Sequence, residues 1–362
     1  MTSRIRILIV DDAVVVRRMV GDVLGSDPEL EVVGTAPSGS IALQKIPQLN
    51  PDLVTLDVEM PGMTGIETLV ELRKRYPLLP VIMFSTLTER GAATTLDALA
   101  AGASDYVTKP ANVGSVSAAM QAVRDSLIPK IKTLCWRKSM PACRPAPVRT
   151  VPPGETRRSR RIDVLAIGTS TGGPNALTTV LPALPADFPV PIVIVQHMPP
   201  VFTRILAERL SARCAFEVRE AAGGEELTAG HAWVAPGNHH MVVARDGNRV
   251  RLRLNQDTPE NSCRPAVDPL FRSVAEVYGE NALALVLTGM GHDGRRGAEA
   301  IRAAGGSVLV QDEATSVVWG MPGAVQEAGF ADGVLALPAI AAEVVRRTKL
   351  HRAAPMPAAR AS

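Results

Sequence analysis

A serine at position 170 lies among glycines in the segment IGTSTGGPNA, residues 167–176. The stretch GTSTG fits the pattern G-x-S-x-G, which places a serine on a sharp turn between a strand and a helix, and the apolar run DVLAI before it could form that strand. A serine hydroxyl is a weak nucleophile until a base removes its proton. Ser170 is therefore a candidate nucleophile that needs a base and an acid from elsewhere in the chain.

Two later residues could supply that base and acid. His197 follows the apolar run PIVIVQ, and Asp293 follows the run that begins ALALVLTG. If both runs are strands of one parallel sheet with the strand before Ser170, all three side chains project from the same edge. Each residue also has a structural interpretation, as a helix cap or a histidine at a strand end. The order serine, histidine, aspartate differs from that of the α/β-hydrolases, which predicts a different sheet.

A second set of polar residues follows the strand-like runs near the N-terminus. Asp11 and Asp12 follow the run IRILIV, and Asp57 ends the run DLVTLD. Like charges that meet at one sheet edge repel one another unless a cation neutralises them, and Mg²⁺ prefers oxygen ligands. The pattern predicts a magnesium site. The alternative is that the paired aspartates cap the first helix.

A hydroxyl and an ammonium group are expected at the same edge. Ser85 ends the fourth run, with Thr86 beside it as the alternative, and Lys109 follows the fifth. These groups could hold a phosphoryl group on the Asp57 carboxylate. In the structural interpretation Lys109 makes an ordinary ion pair.

Short apolar runs alternate with helical patterns in both halves of the chain, which predicts an α/β fold with parallel sheets. In the first half we expect a flavodoxin-like (βα)5 sheet of order 2-1-3-4-5, with strands at 5–10, 31–35, 52–57, 80–85 and 105–108. In the second half we expect a doubly wound, mainly parallel sheet, with strands at 163–168, 191–197, 231–236, 282–289, 307–311 and 333–337. The turn signal DGN within 231–254 predicts an added antiparallel hairpin.

The 362 residues, 46% of them hydrophobic, are enough for two domains. We expect domains at 1–127 and 163–350, a disordered tail at 351–362, and a linker at 128–162, which contains several prolines and the basic run RRSRR. A formal net charge of +3 does not indicate a nucleic-acid partner. Four scattered cysteines and no apolar run of 18 residues favour a cytoplasmic protein without membrane insertion.

Four histidines could suggest a metal centre in the second half: His231, His239, His240 and His292. They lack the helical H-x-x-x-H spacing and the accompanying carboxylates of zinc sites. We therefore do not expect them to bind a metal.

The segments ILIVDD, LVTLDVEMPGMTGIE, MFSTLTE and ASDYVTKP resemble the receiver domain of two-component response regulators, over residues 4–127. That resemblance implies that Asp57 accepts a phosphoryl group and that Asp11, Asp12 and the backbone carbonyl of Glu59 help to hold Mg²⁺. It also implies that Ser85 is the switch hydroxyl, Tyr106 the switch aromatic residue and Lys109 the phosphate-binding lysine.

Residues 163–347 resemble the catalytic domain of the chemotaxis protein-glutamate methylesterases, through segments that include IGTSTGGP, VQHMPPVFT, VDPLFRSVAEVYG, LTGMGHDG and QDEATSVVWGMP. The resemblance implies that Ser170 is the nucleophile, His197 the general base and acid, and Asp293 the carboxylate that orients His197. It further implies that backbone N–H groups around Thr171 and Met290 bind the oxyanion.

Together the two resemblances imply an enzyme of chemotaxis adaptation. It would hydrolyse glutamate methyl esters, and deamidate glutamines, on the cytoplasmic regions of methyl-accepting chemoreceptors. Phosphorylation of Asp57 by a chemosensory histidine kinase would activate it, with Mg²⁺ needed for phosphorylation and no cofactor for ester hydrolysis.

Two other functional classes remain to be weighed. A phosphorylation-gated binding module that has lost hydrolysis would show a decayed triad, whereas all three candidates are present. A transcriptional regulator would carry a compact helix-turn-helix domain after the linker, and the strand pattern after residue 163 argues against it.

Overall fold

The computed structural model describes residues 4–110, 115–136 and 161–349. The chain forms two compact units, and each is described by itself. Most of the expected linker, at 137–160, and the expected tail at 351–362 lie outside the described residues.

The first unit is a five-stranded parallel sheet of order β2-β1-β3-β4-β5, which confirms the predicted topology. Its strands are β1 (Ile5–Val10), β2 (Leu30–Ala36), β3 (Leu53–Asp57), β4 (Val81–Ser85) and β5 (Asp105–Thr108). Its helices are α1 (Val14–Gly25), α2 (Gly39–Leu49), α3 (Gly65–Arg75), α4 (Glu89–Ala100) and α5 (Val116–Trp136).

The register of this sheet brings the polar strand ends together. Val10 of β1 pairs with Leu56 of β3, so Asp11 and Asp57 each stand one residue beyond that pair. Parallel strands end at the same edge, and apolar residues fill the strands themselves, since every residue of β3 and β4 is buried. The core therefore fixes the carboxylates at the carboxyl edge.

Helix α5 extends nine residues past the expected domain boundary at 127, because it runs to Trp136. Ile128, Ile131 and Cys135 are buried in the receiver-like core, and Lys132 forms ion pairs with Asp27 and Glu29. Pro129, which suggested a linker, lies within the helix, where its missing N–H is outweighed by this packing. The expected linker thus begins too early: residues 128–136 belong to the first domain.

The second unit contains a seven-stranded parallel sheet of order β14-β13-β12-β6-β7-β9-β8 and a separate antiparallel hairpin, β10-β11. The strands are β6 (Val164–Thr169), β7 (Ile192–Gln196), β8 (Glu217–Glu220), β9 (His231–Val234), β10 (His240–Asp246), β11 (Arg249–Asn255), β12 (Ala282–Val286), β13 (Ser307–Gln311) and β14 (Gly333–Leu335). The helices are α6 (Gly173–Val180), α7 (Phe202–Ser211), α8 (Val267–Tyr278), α9 (Arg295–Ala303), α10 (Met321–Glu327) and α11 (Leu337–Lys349).

The predicted parallel sheet and hairpin are confirmed, and the edge strand β8 was not predicted. Strand β6 lies between β7 and β12. Thr169 pairs with Gln196, and Gly168 pairs with Val286. Ser170 and His197 therefore each directly follow one residue of the Thr169–Gln196 pair. The loop after β12 begins at the same edge of the sheet.

Within the described residues, the helices are too short or too polar for any of them to cross a lipid bilayer.

Candidate active site and phosphorylation site

Three carboxylates of the first unit meet at the carboxyl edge of its sheet. One oxygen from each of Asp11, Asp12 and Asp57 lies within 4.8 Å of the others. Asp11 and Asp57 are buried, whereas Asp12 is exposed. The Lys109 ammonium lies 3.0 Å from Asp11 Oδ2 and 2.8 Å from Asp57 Oδ2. The structure thus brings the four predicted charged residues together.

One ammonium does not balance three carboxylates. Burial raises the pKa of Asp57, Lys109 lowers it and the Asp11 charge raises it, with a net result of about 6. A hard divalent cation would supply the missing positive charge, and these oxygen donors are of the type that Mg²⁺ prefers. The backbone of Glu59 lies at the same place, since its N–H group is 3.4 Å from Asp57 Oδ1. The donor set therefore fits a magnesium ion.

The alternative in which the aspartates cap helix α1 is wrong. Within the described residues, no side chain caps helix α1 at its N-cap residue, Ala13. The Ala13 N–H donates to Asp11 Oδ1 in the turn before the helix. Arg17 donates to the backbone carbonyls of both aspartates, at 2.6 and 2.9 Å. The chain thus turns sharply after β1 and leaves the carboxylates facing the sheet edge.

The Ser85 hydroxyl is engaged with helix α4. It accepts a hydrogen bond from Thr95 Oγ1 at 2.6 Å and lies 3.2 Å from the carbonyl of Gly91. Thr86, the neighbouring alternative, has its hydroxyl 3.2 Å from that of Thr88. In this conformation both hydroxyls are hydrogen-bonded to α4 or to the loop before it.

Tyr106 is buried in β5, with 7% of its surface exposed. Burial, assisted by the charge of Asp105, raises the pKa of its phenol well above 10. Lys130 of α5 donates to the Tyr106 carbonyl at 2.8 Å, and its ammonium lies 5.2 Å from the ring centroid. The ring therefore occupies an inward position, held between the sheet and α5.

In the second unit, Ser170 stands on a strand–turn–helix connection, as predicted. β6 ends at Thr169, Gly172 takes a left-handed conformation with φ of 78°, and α6 begins at Gly173. Thr288, from the loop after β12, accepts the Ser170 N–H at its carbonyl and donates its hydroxyl to the Thr171 carbonyl. This residue holds the turn in place, and its role was not predicted.

His197 and Asp293 form a close pair. His197 Nε2 lies 2.8 Å from Asp293 Oδ2, and the imidazole side chain is only 11% exposed. Burial lowers the pKa of His197, but Cys263 and Asp293 raise it by more, so the net shift is upward. The carboxylate therefore stabilises the protonated imidazole, as the acid of a serine–histidine–aspartate triad does.

Asp293 is held by donors on both oxygens. Oδ2 accepts the Val267 N–H at 2.6 Å, and Oδ1 accepts the N–H groups of Asp268 and Gly294 at 3.0 and 2.9 Å. Val267 and Asp268 are the first residues of α8, so Asp293 caps that helix, and it also accepts the N–H of Gly294, the N-cap residue of α9. Hydrogen bonding and the nearby imidazole lower the pKa of Asp293 despite its burial.

The serine–histidine half of the predicted triad is not hydrogen-bonded. Within residues 161–349, Ser170 Oγ makes no hydrogen bond to His197. Since Nε2 faces Asp293, Nδ1 is left as the base, and Nδ1 lies 3.5 Å from Cys263 Sγ. Catalytic hydrogen bonds are often long in structures without substrate, and a serine χ1 rotation is a small change. Ser170 must displace this thiol contact to reach the base.

The backbone predicted to bind an oxyanion lies beside the serine. Thr171 follows Ser170 and is buried, and Met290 follows Gly289 and is half-buried. A methyl group added at Gly289 would lie 2.9 Å from Ser170 Cβ and 2.3 Å from Met321 Sδ. The absence of a side chain at 289 lets these two segments meet, which is what two converging N–H donors require.

Gln196 was also missed by the sequence analysis. Its Nε2 donates to the carbonyl oxygens of Ser170 and His197, at 3.0 and 3.2 Å, and so joins the two turns. The sequence signal for Gln196 was its position at the end of an apolar run, directly before the candidate base. The spacing of apolar residues does not show in which direction a side-chain amide points. Asn261, which contacts Asp293, and Cys263, which contacts His197, were also missed, because they lie in a loop far from those residues in sequence.

The histidines that could have suggested a metal centre do not gather. In the described part of the chain, ligand atoms of three or more such side chains converge at Asp11, Asp12 and Asp57, and this group includes no histidine. His240 accepts the Ala266 N–H at Nδ1 and lies 3.2 Å from the Thr258 carbonyl, so it supports the start of α8.

Both units of the chain are similar to known proteins. Residues 7–121 match the family model described as response regulator receiver domain, and residues 165–344 match that described as CheB methylesterase. The chain is 42% identical to the crystal structure of the Thermotoga maritima CheB methylesterase catalytic domain, with a TM-score of 0.51; the match covers 52% of this chain and 99% of that one.

Two curated relatives match almost the whole chain. A protein-glutamate methylesterase/protein-glutamine glutaminase of Trichodesmium erythraeum is 55% identical, over 95% of this chain and 99% of its own length. One of the same name from a Nocardioides species is 52% identical, over 98% of each chain. The chain therefore belongs to the CheB methylesterase family, in the form that carries an N-terminal response regulator receiver domain.

Proposed function

We propose that this protein hydrolyses methyl esters of glutamate side chains, and deamidates glutamine side chains, on methyl-accepting chemoreceptors. The relatives named above carry both activities in their names. The observation that carries the proposal is the buried His197–Asp293 pair beside the Ser170 turn, at one edge of a parallel sheet.

The proposed reaction is acyl transfer through Ser170. His197 Nδ1 takes the hydroxyl proton while Ser170 Oγ attacks the ester carbonyl, and Asp293 stabilises the imidazolium that forms. The imidazolium then gives its proton to the leaving methoxide, so methanol departs and the glutamyl group stays on the serine. Water, deprotonated by the same nitrogen, then attacks the acyl carbon. The bond from that carbon to Ser170 Oγ breaks, the imidazolium returns its proton to Oγ, and the glutamate leaves. With a glutamine substrate the leaving group is ammonia, and the residues keep their roles.

Charge that develops on the carbonyl oxygen needs donors that are already in position. The backbone N–H groups of the Thr171 and Met290 segments are the proposed donors, and Gly289 allows their close approach. Each such donor typically contributes about 10² to 10³ in rate. The chemistry needs no cofactor in this scheme.

The raised pKa of His197 predicts a particular pH dependence. A base with a raised pKa stays protonated to higher pH, so kcat/KM should climb across the neutral range, with its acid limb above pH 6.5. Because Cys263 is the largest of the influences that raise this pKa, Cys263→Ala should move the limb to lower pH. A pH profile of methanol release in both proteins checks this. A limb at or below 6.5 in the unaltered enzyme contradicts the upward shift of the His197 pKa.

Regulation is proposed to act through Asp57. A chemosensory histidine kinase would donate the phosphoryl group, Lys109 would bind it, and Asp11, Asp12 and the Glu59 carbonyl would hold Mg²⁺ with Asp57. A bound Mg²⁺ would supply positive charge beside the transferred phosphoryl group. Ser85 or Thr86 could hold the phosphoryl oxygen after rotating from its present partner, and Tyr106 is the proposed aromatic partner of that switch. Phosphorylation then shifts the population towards an active state.

Asp57→Asn is expected to leave basal methanol release unchanged and to abolish its stimulation by a small phosphodonor with Mg²⁺, because the amide cannot accept the phosphoryl group. The measurement is methanol release from methylated receptor membranes with and without the phosphodonor. Asp22→Asn, at an aspartate on α1, is the control that should keep stimulation. Stimulation that survives in Asp57→Asn removes Asp57 from the scheme, and an unaltered enzyme that releases no methanol refutes the proposed activity.

A further inference from the structure

Asn261 connects two buried carboxylates behind the candidate active site. It lies in the loop between β11 and α8, with a left-handed φ of 51°. Its Nδ2 donates to Asp293 Oδ1 at 2.9 Å and to Asp268 Oδ2 at 3.0 Å. Both protons of the amide nitrogen are thus used, and the carbonyl end of the side chain could not replace it against two carboxylates.

Burying these two carboxylates near each other costs free energy. Asp293 and Asp268 are 2% and 1% exposed, and like charges this close raise one another's pKa values. Burial and the charge of Asp293 raise the pKa of Asp268, whereas the Gly297 N–H and the Asn261 amide lower it. The Gly297 N–H lies 2.7 Å from Asp268 Oδ1. The Asn261 amide is the donor shared by both acids.

We propose that Asn261 is a positioning residue that keeps Asp268 and Asp293 both ionised, so that Asp293 presents a full negative charge to His197. This inference rests on the proposed function for its catalytic consequence, but not for its effect on the imidazole.

The physical consequence follows from removing the amide. Without that donor Asp268 Oδ2 and Asp293 Oδ1 lose the amide that they share, so the acid pair holds a proton to higher pH. An acid pair that holds a proton presents less negative charge to His197. The imidazolium of His197 is then less stable, so His197 loses its proton at lower pH and kcat falls.

Other charged or titratable groups also face this cluster. Arg272 of α8 adds positive charge and is paired with Glu260. Cys263 contacts the far side of the imidazole. The remaining groups nearby in the chain or in contact with the start of α8 are His240, His292, Arg295 and Arg296.

The test uses Asn261→Gly in the full chain, since glycine accepts the left-handed backbone without strain. The titration of His197 is followed by NMR of ring-labelled histidine, with the signal identified by its loss in His197→Gln. We expect His197 to titrate about one pH unit lower than in the unaltered protein, and kcat for methanol release to fall at least about tenfold.

Two further variants separate charge from structure. Ser262→Gly changes the neighbouring exposed residue, which also has a left-handed φ of 62°, and should alter neither value. Asn261→Gly/Asp268→Asn removes the second buried charge, so Asp293 stays ionised without a like charge beside it, and the His197 titration should move back towards that of the unaltered protein. A merely structural role for Asn261 would not give this rescue.

An unchanged His197 titration in Asn261→Gly, or a shift to higher pH, overturns the inference. So does a shift that the double variant fails to reverse. If the unaltered enzyme releases no methanol while the titration shifts and recovers as described, the inference stands and the proposed function fails.

Discussion

Replacing Asp293 with asparagine is expected to lower kcat about 10⁴-fold, the scale seen when a triad aspartate loses its charge. Five donors converge on the carboxylate: the N–H groups of three backbone positions, the Asn261 amide and His197 Nε2. An asparagine must turn an NH₂ group towards some of them. It therefore repels a donor as well as losing the charge that stabilises the imidazolium.

The measurement is kcat for methanol release at several pH values, with thermal unfolding in parallel. Asp187→Asn, at an exposed aspartate of the same domain, removes a charge without touching the site and should keep full activity. Some loss of stability is expected in Asp293→Asn, because donors at the start of α8 lose their acceptor, at about 1–3 kcal/mol for an unsatisfied group. A folded Asp293→Asn protein with kcat within tenfold of normal would show that Asp293 only caps α8.

Ser170→Ala is expected to reduce methanol release at least about 10⁴-fold, since the acyl group then has no hydroxyl to which it can bind. The structure makes this a sharp test, because Cys263 Sγ is a second potential nucleophile at 3.5 Å from the base. A thiol is intrinsically more nucleophilic than a hydroxyl, so proximity alone does not decide between the two.

Cys263→Ala is the matched variant, and it should retain turnover within about tenfold, since a contact to the base rather than the reacting group is lost. The opposite pattern, with Cys263→Ala inactive and Ser170→Ala active, would transfer the nucleophile to Cys263. Double replacement of both residues should be no worse than Ser170→Ala alone.

Strand ends were the part of the site that the sequence could predict. Short apolar runs set the strands, and residues that follow parallel strands must share an edge, so Asp11, Asp57, Ser170 and His197 were placed from local pattern alone. Loops that bring distant residues to that edge were not predictable. Asn261 reaches Asp293 across 32 residues of sequence and Cys263 reaches His197 across 66, with no periodicity to signal either contact.

Two elements escaped prediction for different physical reasons. β8, with the sequence EVRE, is a charged edge strand in which one residue, Val218, is buried, so it resembles a loop in sequence. The end of α5 was obscured by Pro129, because a proline usually marks the end of a helix, whereas here the buried residues Ile131 and Cys135 continue it. In both elements, tertiary packing rather than local sequence preference determines the secondary structure.

The central claim is that Ser170 is activated by His197 and carries the acyl group. The direct test is to treat the full-length enzyme with a fluorophosphonate, which transfers its phosphonyl group to an activated serine as fluoride leaves, and to locate the adduct by peptide mass spectrometry. We predict one adduct on Ser170, with parallel loss of methanol release, and no adduct in His197→Gln. An adduct on Cys263, or an enzyme that still releases methanol with Ser170 fully modified, would contradict the account.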